Sequence, residues 1–194
     1  MHRKIRLALV ALLALGLAAC GGEETGGPAS AKADAAKAIQ RLYAANKAAS
    51  TGNSSSSGLG SRYSSEETTT VEGKQGKATV TTTIESNVGT TVTNNITHEI
   101  LYEDFSSDGT NVFNGSETMV LDQSVGESDV NQVIAMKGDV TMTGEYDTRL
   151  VHDVTMTQDI SGDSVSMTLT GTVDTDADTF SFSGESFDVS LTVN

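Results

Sequence analysis

The chain contains one cysteine, one proline and no tryptophan, and four Tyr and five Phe are all its aromatic side chains besides histidine. A single thiol cannot close a disulfide within one molecule. Zinc fingers and iron–sulfur clusters need several Cys or His ligands, and one Cys with three His is a poor supply. Positive charge is the next scarcity, with 12 Lys+Arg against 26 Asp+Glu and a formal net charge of −14. Nucleic-acid binding works by neutralising phosphates with basic side chains, so this balance argues against a nucleic-acid partner. Long apolar runs are also missing apart from one near the N-terminus, and 194 residues is the length of one domain.

That one apolar run has the layout of a processing signal and is set aside before any argument about the fold. Arg3, Lys4 and Arg6 form a basic n-region and Leu7 to Gly16 an apolar h-region. Leu17-Ala18-Ala19-Cys20 then closes the run with small residues and the chain's only cysteine. The run is too short to cross a hydrocarbon core of ~30 Å comfortably. Residues 1–20 resemble the lipobox of bacterial lipoproteins. The resemblance implies cleavage between Ala19 and Cys20, a diacylglycerol thioether on Cys20, and acylation of the new N-terminus. Each buried methylene is worth ~0.8 kcal/mol, so several acyl chains anchor a protein to a membrane without any spanning helix. Gly21 lacks the aspartate that the Gram-negative sorting scheme associates with inner-membrane retention. The resemblance therefore implies a lipid-anchored protein of the cell envelope, at the outer membrane.

Without residues 1–19 the chain carries nine Lys+Arg and 26 Asp+Glu, a net charge of −17. The charge is unevenly spread. Residues 78–194 contain 20 acidic side chains against Lys137 and Arg149 alone, whereas residues 20–77 are nearly balanced. Such a surface is repelled by anionic headgroups and suits solubility, cations or a basic protein partner.

The organisation that follows is a lipidated flexible tether over 20–29, a helix over 30–49, a Gly/Ser linker over 50–61 and a β domain over 62–194. Ser30 is placed to N-cap the helix and Asp34 to support its first turn. Ala35, Ala38, Ile39, Leu42 and Tyr43 recur at helical spacing and make a narrow apolar face, suited to close docking on a sheet. The linker, with its Ser and Gly repeats, is low in complexity. Beyond it the period becomes two. Ala78, Val80 and Ile84 alternate with Thr79, Thr81, Thr83 and Glu85, and the pattern returns around Ile96, Met136, Met156, Met167 and Val189. Alternation of this kind marks antiparallel strands with one solvated face. Turn signals stand at Ser107-Asp108-Gly109, Asn114-Gly115, Ser161-Gly162-Asp163 and Asp174 to Asp178. Glycines on the apolar parity at Gly138, Gly144, Gly171 and Gly184 permit bends. The expected fold is all-β with one N-terminal helix: about eight strands in a curved antiparallel meander sheet or half-barrel packed on the helix. In element order it resembles half-barrel lipid-carrier lipoproteins of bacterial envelopes. The segment Tyr102 to Ser116 is similar to a hairpin of uncharacterised β-rich lipoproteins.

Candidate sites are few. Met136, Met142, Met156 and Met167, with His98 and His152 on the same parity, form a possible face for a lipid or other apolar ligand. Methionine adapts both to irregular cores and to varied ligands. Asp174, Asp176 and Asp178, with Glu185 twelfth from Asp174, have the spacing of a calcium loop. Thr179 stands where such a loop needs glycine, however, so an acidic hairpin turn is the plainer reading. The pairs Thr141-x-Thr143, Thr155-x-Thr157 and Thr168-x-Thr170 could align as a flat array matching ordered water, though threonine is also an ordinary solvent-facing strand residue. Serine, histidine and aspartate are all present, but no catalytic motif frames them. No cofactor and no enzymatic activity are expected. The function expected is a non-catalytic structural or interaction role for a membrane-anchored envelope lipoprotein. The alternative is a carrier or binding module for an apolar ligand.

Overall fold

A computed structural model describes residues 29, 31–50, 62–88, 92–125, 130–161 and 164–188. One helix, α1 (Lys32–Ser50), is followed by eight strands: β1 (Arg62–Glu72), β2 (Gln75–Val88), β3 (Val92–Ser106), β4 (Val112–Val125), β5 (Val130–Thr143), β6 (Thr148–Ser161), β7 (Ser164–Asp174) and β8 (Thr179–Asp188). Each strand pairs antiparallel with its successor, giving one meander sheet in the order β1 to β8 with no pairing between β1 and β8. The all-β expectation with one helix and an antiparallel meander holds, and the sheet is open. Adjacent strands rotate by roughly 20–25°, so seven steps accumulate about 150° of twist, which turns one face around the helix.

The period-two pattern becomes rows running across the strands. Ile84, Ile96, Leu121, Ile134, Met156 and Leu169 are cross-strand neighbours, as are Thr82, His98, Met119, Met136 and Val154. These rows share one face with the buried residues of α1, and Ala35, Ala38, Ile39, Leu42 and Ala45 join them in a single hydrophobic cluster. With 19 residues α1 is about 28 Å long. Six strand spacings of ~4.8 Å make about 29 Å, so one helix can reach from β8 to β2. It does so. Lys32 bonds Glu185 on β8 and lies over the Phe182 ring, Arg41 bonds Glu145 between β5 and β6, and Asn46 reaches β3 and β4. Alanine permits this close crossing, because larger side chains would hold the helix off the sheet.

The turns after β1, β3, β5 and β7 lie at the end of the sheet where α1 crosses. In the β3–β4 connection Asp108 accepts hydrogen bonds from the backbone of Thr110 and Asn111 and from the side chains of Ser106 and Asn111. Burial pushes its carboxyl up, but these donors together outweigh burial and hold it below the usual carboxylate range.

One expected turn is a correction. Asn114-Gly115 lies inside β4, where Gly115 pairs with both Tyr102 and Val140. The reason is a bulge in the facing strand. Asp104 takes a left-handed φ of 53°, its backbone N–H donates to Asn114 Oδ1 at 2.8 Å, and Asn114 Nδ2 returns a bond to Asp104 Oδ1 at 2.9 Å. Gly115 itself has φ 124°. The residues that read as a turn thus fix a bulge, and the bulge points both Tyr102 and Phe105 inward although they are three apart. Helix boundaries differ slightly from expectation, since α1 runs from Lys32 to Ser50. Ser30 lies outside the described residues. Strand β8 carries Phe182 as a buried anchor, and Val189, Leu191 and Val193, where the alternation continues, lie outside the described residues.

Candidate functional site: a buried polar chain and an outer cleft

Three aromatic rings sit where α1 meets the sheet. Tyr102 lies 5.7 Å from Phe105 and 5.9 Å from Phe113 between ring centroids. Its hydroxyl donates to Asn46 Oδ1 on the helix. Asn46 Nδ2 donates in turn to Glu117 Oε1 on β4 at 2.9 Å, and that oxygen stands 3.3 Å from His152 Nε2 on β6. A chain of polar groups, Tyr102–Asn46–Glu117–His152, therefore runs through the apolar interface with every member buried. Burial, and then the Glu117 carboxylate, push the Tyr102 phenol well above its usual range, so it stays a hydrogen-bond donor at physiological pH.

Glu117 and His152 are on strands that do not pair with each other. Gly138 of β5 lies between them, opposite Glu117 on one side and His152 on the other. A Cβ there would stand 2.6 Å from Ser116 O and 2.9 Å from Glu117 Cα. Only glycine leaves the two side chains room to meet over the strand. The contact is close without being a hydrogen bond: Glu117 Oε2 and His152 Nε2 have no hydrogen-bond partner among the described residues. His152 Nδ1 lies 3.4 Å from Leu150 O. The side chains of Glu117 and His152 are fully buried, so no external reactant reaches them. What the group can do is tie α1 to β3 and β4 and hold Glu117 against His152 of β6.

The sequence-derived residues divide clearly. Met136 and Met142 are 0 % exposed, Met156 2 % and Met167 6 %, so the methionine face is part of the core. His98 is buried as well and shares a hydrogen bond of 2.9 Å between Nδ1 and Thr82 Oγ1. His152 belongs to the polar chain. The four methionines and two histidines share a face as expected, but they do not line an open surface.

Asp174, Asp176 and Asp178 go separate ways. Asp174 ends β7, Asp176 accepts from the Arg149 backbone N–H at 2.8 Å, and Asp178 accepts from that of Thr179 at 2.8 Å. Glu185 is taken up by Lys32, which holds its carboxyl below the usual range. Among the described residues no group of three or more His, Cys, Asp or Glu converges as metal ligands. Of the threonine pairs, Thr155 faces Thr170 and Thr157 faces Thr168, while Thr141 and Thr143 oppose Arg149 and Val112. Four residues form the array in place of six. Ala19 and Cys20 lie outside the described residues. No described helix is long and apolar enough to cross a membrane.

The opposite face of the sheet is polar. Among the described residues Lys77 pairs there with Glu103, Lys137 with Asp153 and Arg149 with Asp139. Among the described residues Glu85, Glu99 and Asp122 have no basic partner. At the end of β1 to β5 away from α1 lies a cleft of about 740 Å³. Glu117, Asn46 and the cleft residues were all missed by pattern reading. For Glu117 a signal existed, because it shares the parity of Met119 and Leu121. The cleft left none, since its Asn, Ser and Thr also suit any solvated strand.

No protein-family model, no curated protein and no solved structure matches the chain.

Proposed function

We propose that the chain is a membrane-anchored lipoprotein of the cell envelope, held at the outer membrane through Cys20, with a non-catalytic structural or interaction role. The anchoring part of this reading is supported by the basic n-region, the apolar run and the single cysteine after Leu17-Ala18-Ala19. The observation that carries the interaction role over the carrier role is the filled inner face. With Met136 and Met142 fully buried and Met156 at 2 %, that face serves as a core for the polar outer surface. An apolar ligand would have to displace side chains already packed there.

Two measurements test the two parts. Cys20→Ser is expected to abolish acylation and move the protein from membranes to the soluble envelope fraction. A Ser variant that still pellets and resists alkaline extraction would overturn the anchor. Met156→Ala is expected to lower unfolding stability by about 2–5 kcal/mol, as a cavity in a packed core does. A much milder loss together with saturable binding of a fluorescent fatty acid would install the carrier reading instead.

A further inference from the structure

The open sheet has two outer strands, and they differ. β8 carries a bulge at Gly184, where φ is 94° and the register against β7 shifts. Its Glu185 carboxylate accepts the Ser183 backbone N–H at 2.5 Å and also bonds Lys32 of α1. A bulge turns an edge away from the strands of other chains, and a backbone donor bonded within its own strand is withdrawn from pairing. β1 has neither device. It pairs with β2 in one unbroken register from Arg62 to Glu72, and residues 64–72 contain no proline, glycine or lysine. Among the described residues no strand pairs with the side of β1 away from β2.

β1 is also thinly supported from within. None of residues 64–72 is buried. Its inner parity, Ser65, Glu67, Thr69 and Val71, offers one apolar side chain where β2 offers Ala78, Val80 and Ile84. The backbone groups on the outer side of such a strand are a template for a further strand, and the sequence of β1 specifies which one. When two copies pair β1 with β1 antiparallel about a two-fold axis, residues of like parity face each other and both inner faces stay on one side. With the axis at Thr68, Glu66 meets Thr70, Glu67 meets Thr69 and Glu72 meets Ser64, so every carboxylate faces a hydroxyl donor. Moving the axis by one residue sets Glu67 on Glu67 or Glu66 on Glu72, and like charges directly opposite are destabilising. The three glutamates therefore fit one register and oppose its neighbours.

We infer that β1 is the interface with a second copy of this chain, joined edge to edge about a two-fold axis at Thr68 so that two eight-stranded sheets run on as one. Thr68 lies on the outer face, where its Oγ1 is 3.0 Å from Thr81 Oγ1, and in the dimer it stands beside its own counterpart. Pairing of β1 with β8 would instead be head to tail and generate rings or filaments, and the bulge at Gly184 opposes it. The inference names the partner for the interaction role proposed above. It rests on that reading for the setting and on β1 alone for the contact.

The test uses the full chain carrying Cys20→Ser, so that an introduced thiol is the only one. Sedimentation equilibrium at micromolar concentration is expected to show a dimer. Under mild oxidation Thr68→Cys should be recovered largely as a disulfide-linked dimer, because residues opposite each other in an antiparallel pair stand about 4.5–5.5 Å apart between Cα atoms, within the span of a disulfide. Glu66→Cys or Thr70→Cys alone should not link, since each would lie about 14 Å along the strand from its own counterpart. The variant with both should link across the axis, and it supplies the same test if Thr68→Cys lowers the melting temperature. Ser181→Cys, on β8, should not link. Thr68→Glu sets two carboxylates against each other at the axis and should weaken the dimer about fivefold. A monomer at every concentration overturns the inference, as does linking at Ser181→Cys equal to that at Thr68→Cys. Release of the Cys20→Ser protein from membranes is read by fractionation, so failure of the anchor and failure of the interface are separately visible.

Discussion

His98 and Glu117 show how a polar residue on the apolar parity of a strand is accommodated. His98 keeps one partner, Thr82, on the adjacent strand, and burial pushes its imidazole below the usual value near 6.5. The unfolded chain then takes up a proton at a pH where the folded one does not. The full contribution to stability is present above about pH 6.5, and it is lost as pH falls from there toward the lowered folded value. Urea unfolding is therefore expected to shift to lower midpoints between pH 7.5 and 5.5, and His98→Gln should flatten part of that slope. An unchanged slope in the variant would assign the effect to another group. Glu117 follows a different course, because its partners come from a helix 71 positions away in sequence and from a strand two places across the sheet. Its side chain is buried on the parity of Met119 and Leu121, although its sequence neighbours Ser116 and Thr118 are polar.

Helix α1 is held by few large side chains. Ile39 and Leu42 are its only fully buried bulky residues, and the remainder of its buried face is alanine with Asn46. A narrow apolar stripe gives modest burial, at ~25 cal/mol per Å² of apolar area, so specific bonds gain relative weight in fixing where the helix sits. Asn46→Ala removes the acceptor of the Tyr102 hydroxyl and a donor to Glu117 at once. Leaving buried polar groups unpaired typically costs about 1–3 kcal/mol, and a loss of that size in the urea midpoint is expected. A change within the ~0.5 kcal/mol typical of surface substitutions would show that the chain from Tyr102 to His152 does not position the helix. Strand β4 is the sheet's counterpart to this design. Gly115 lies opposite Tyr102 and Glu117 receives Asn46, so β4 joins β2 and β3 in holding the helix.

Across the molecule the acidic excess falls in the C-terminal three-fifths of the chain. Residues 78–194 carry 20 acidic against two basic side chains, and the ion pairs on the outer face are all exposed by 46–75 %. Exposed pairs of that kind contribute about 0–1 kcal/mol each, too little to offset the repulsion among the remaining carboxylates. Raising NaCl from 0.02 to 0.2 M shortens the screening length to below about 10 Å and is expected to raise the melting temperature. For a chain of this size each kcal/mol relieved corresponds to about 2–4 °C. A lower melting temperature in salt would mean that the surface pairs outweigh the repulsion.

Local sequence determined what depends on local chemistry. Alternation around Val80, Ile96, Met136, Met156 and Leu169 specified antiparallel strands and the face each would bury, because a side chain's direction in a strand depends only on its parity. The alanine-rich run specified a helix that could approach a sheet closely. The tertiary structure alone decided what depends on residues distant in the chain. A bulge at Asp104 turned Asn114-Gly115 from a turn into a strand, and Gly138 brought Glu117 to His152. The reach of α1 from β8 to β2 made the methionine face a core, and cross-strand register gathered Glu85, Asn95 and Asp122 into one cleft. In each case the deciding quantity is a distance between strands or across the helix interface, and no pattern along a single segment encodes it.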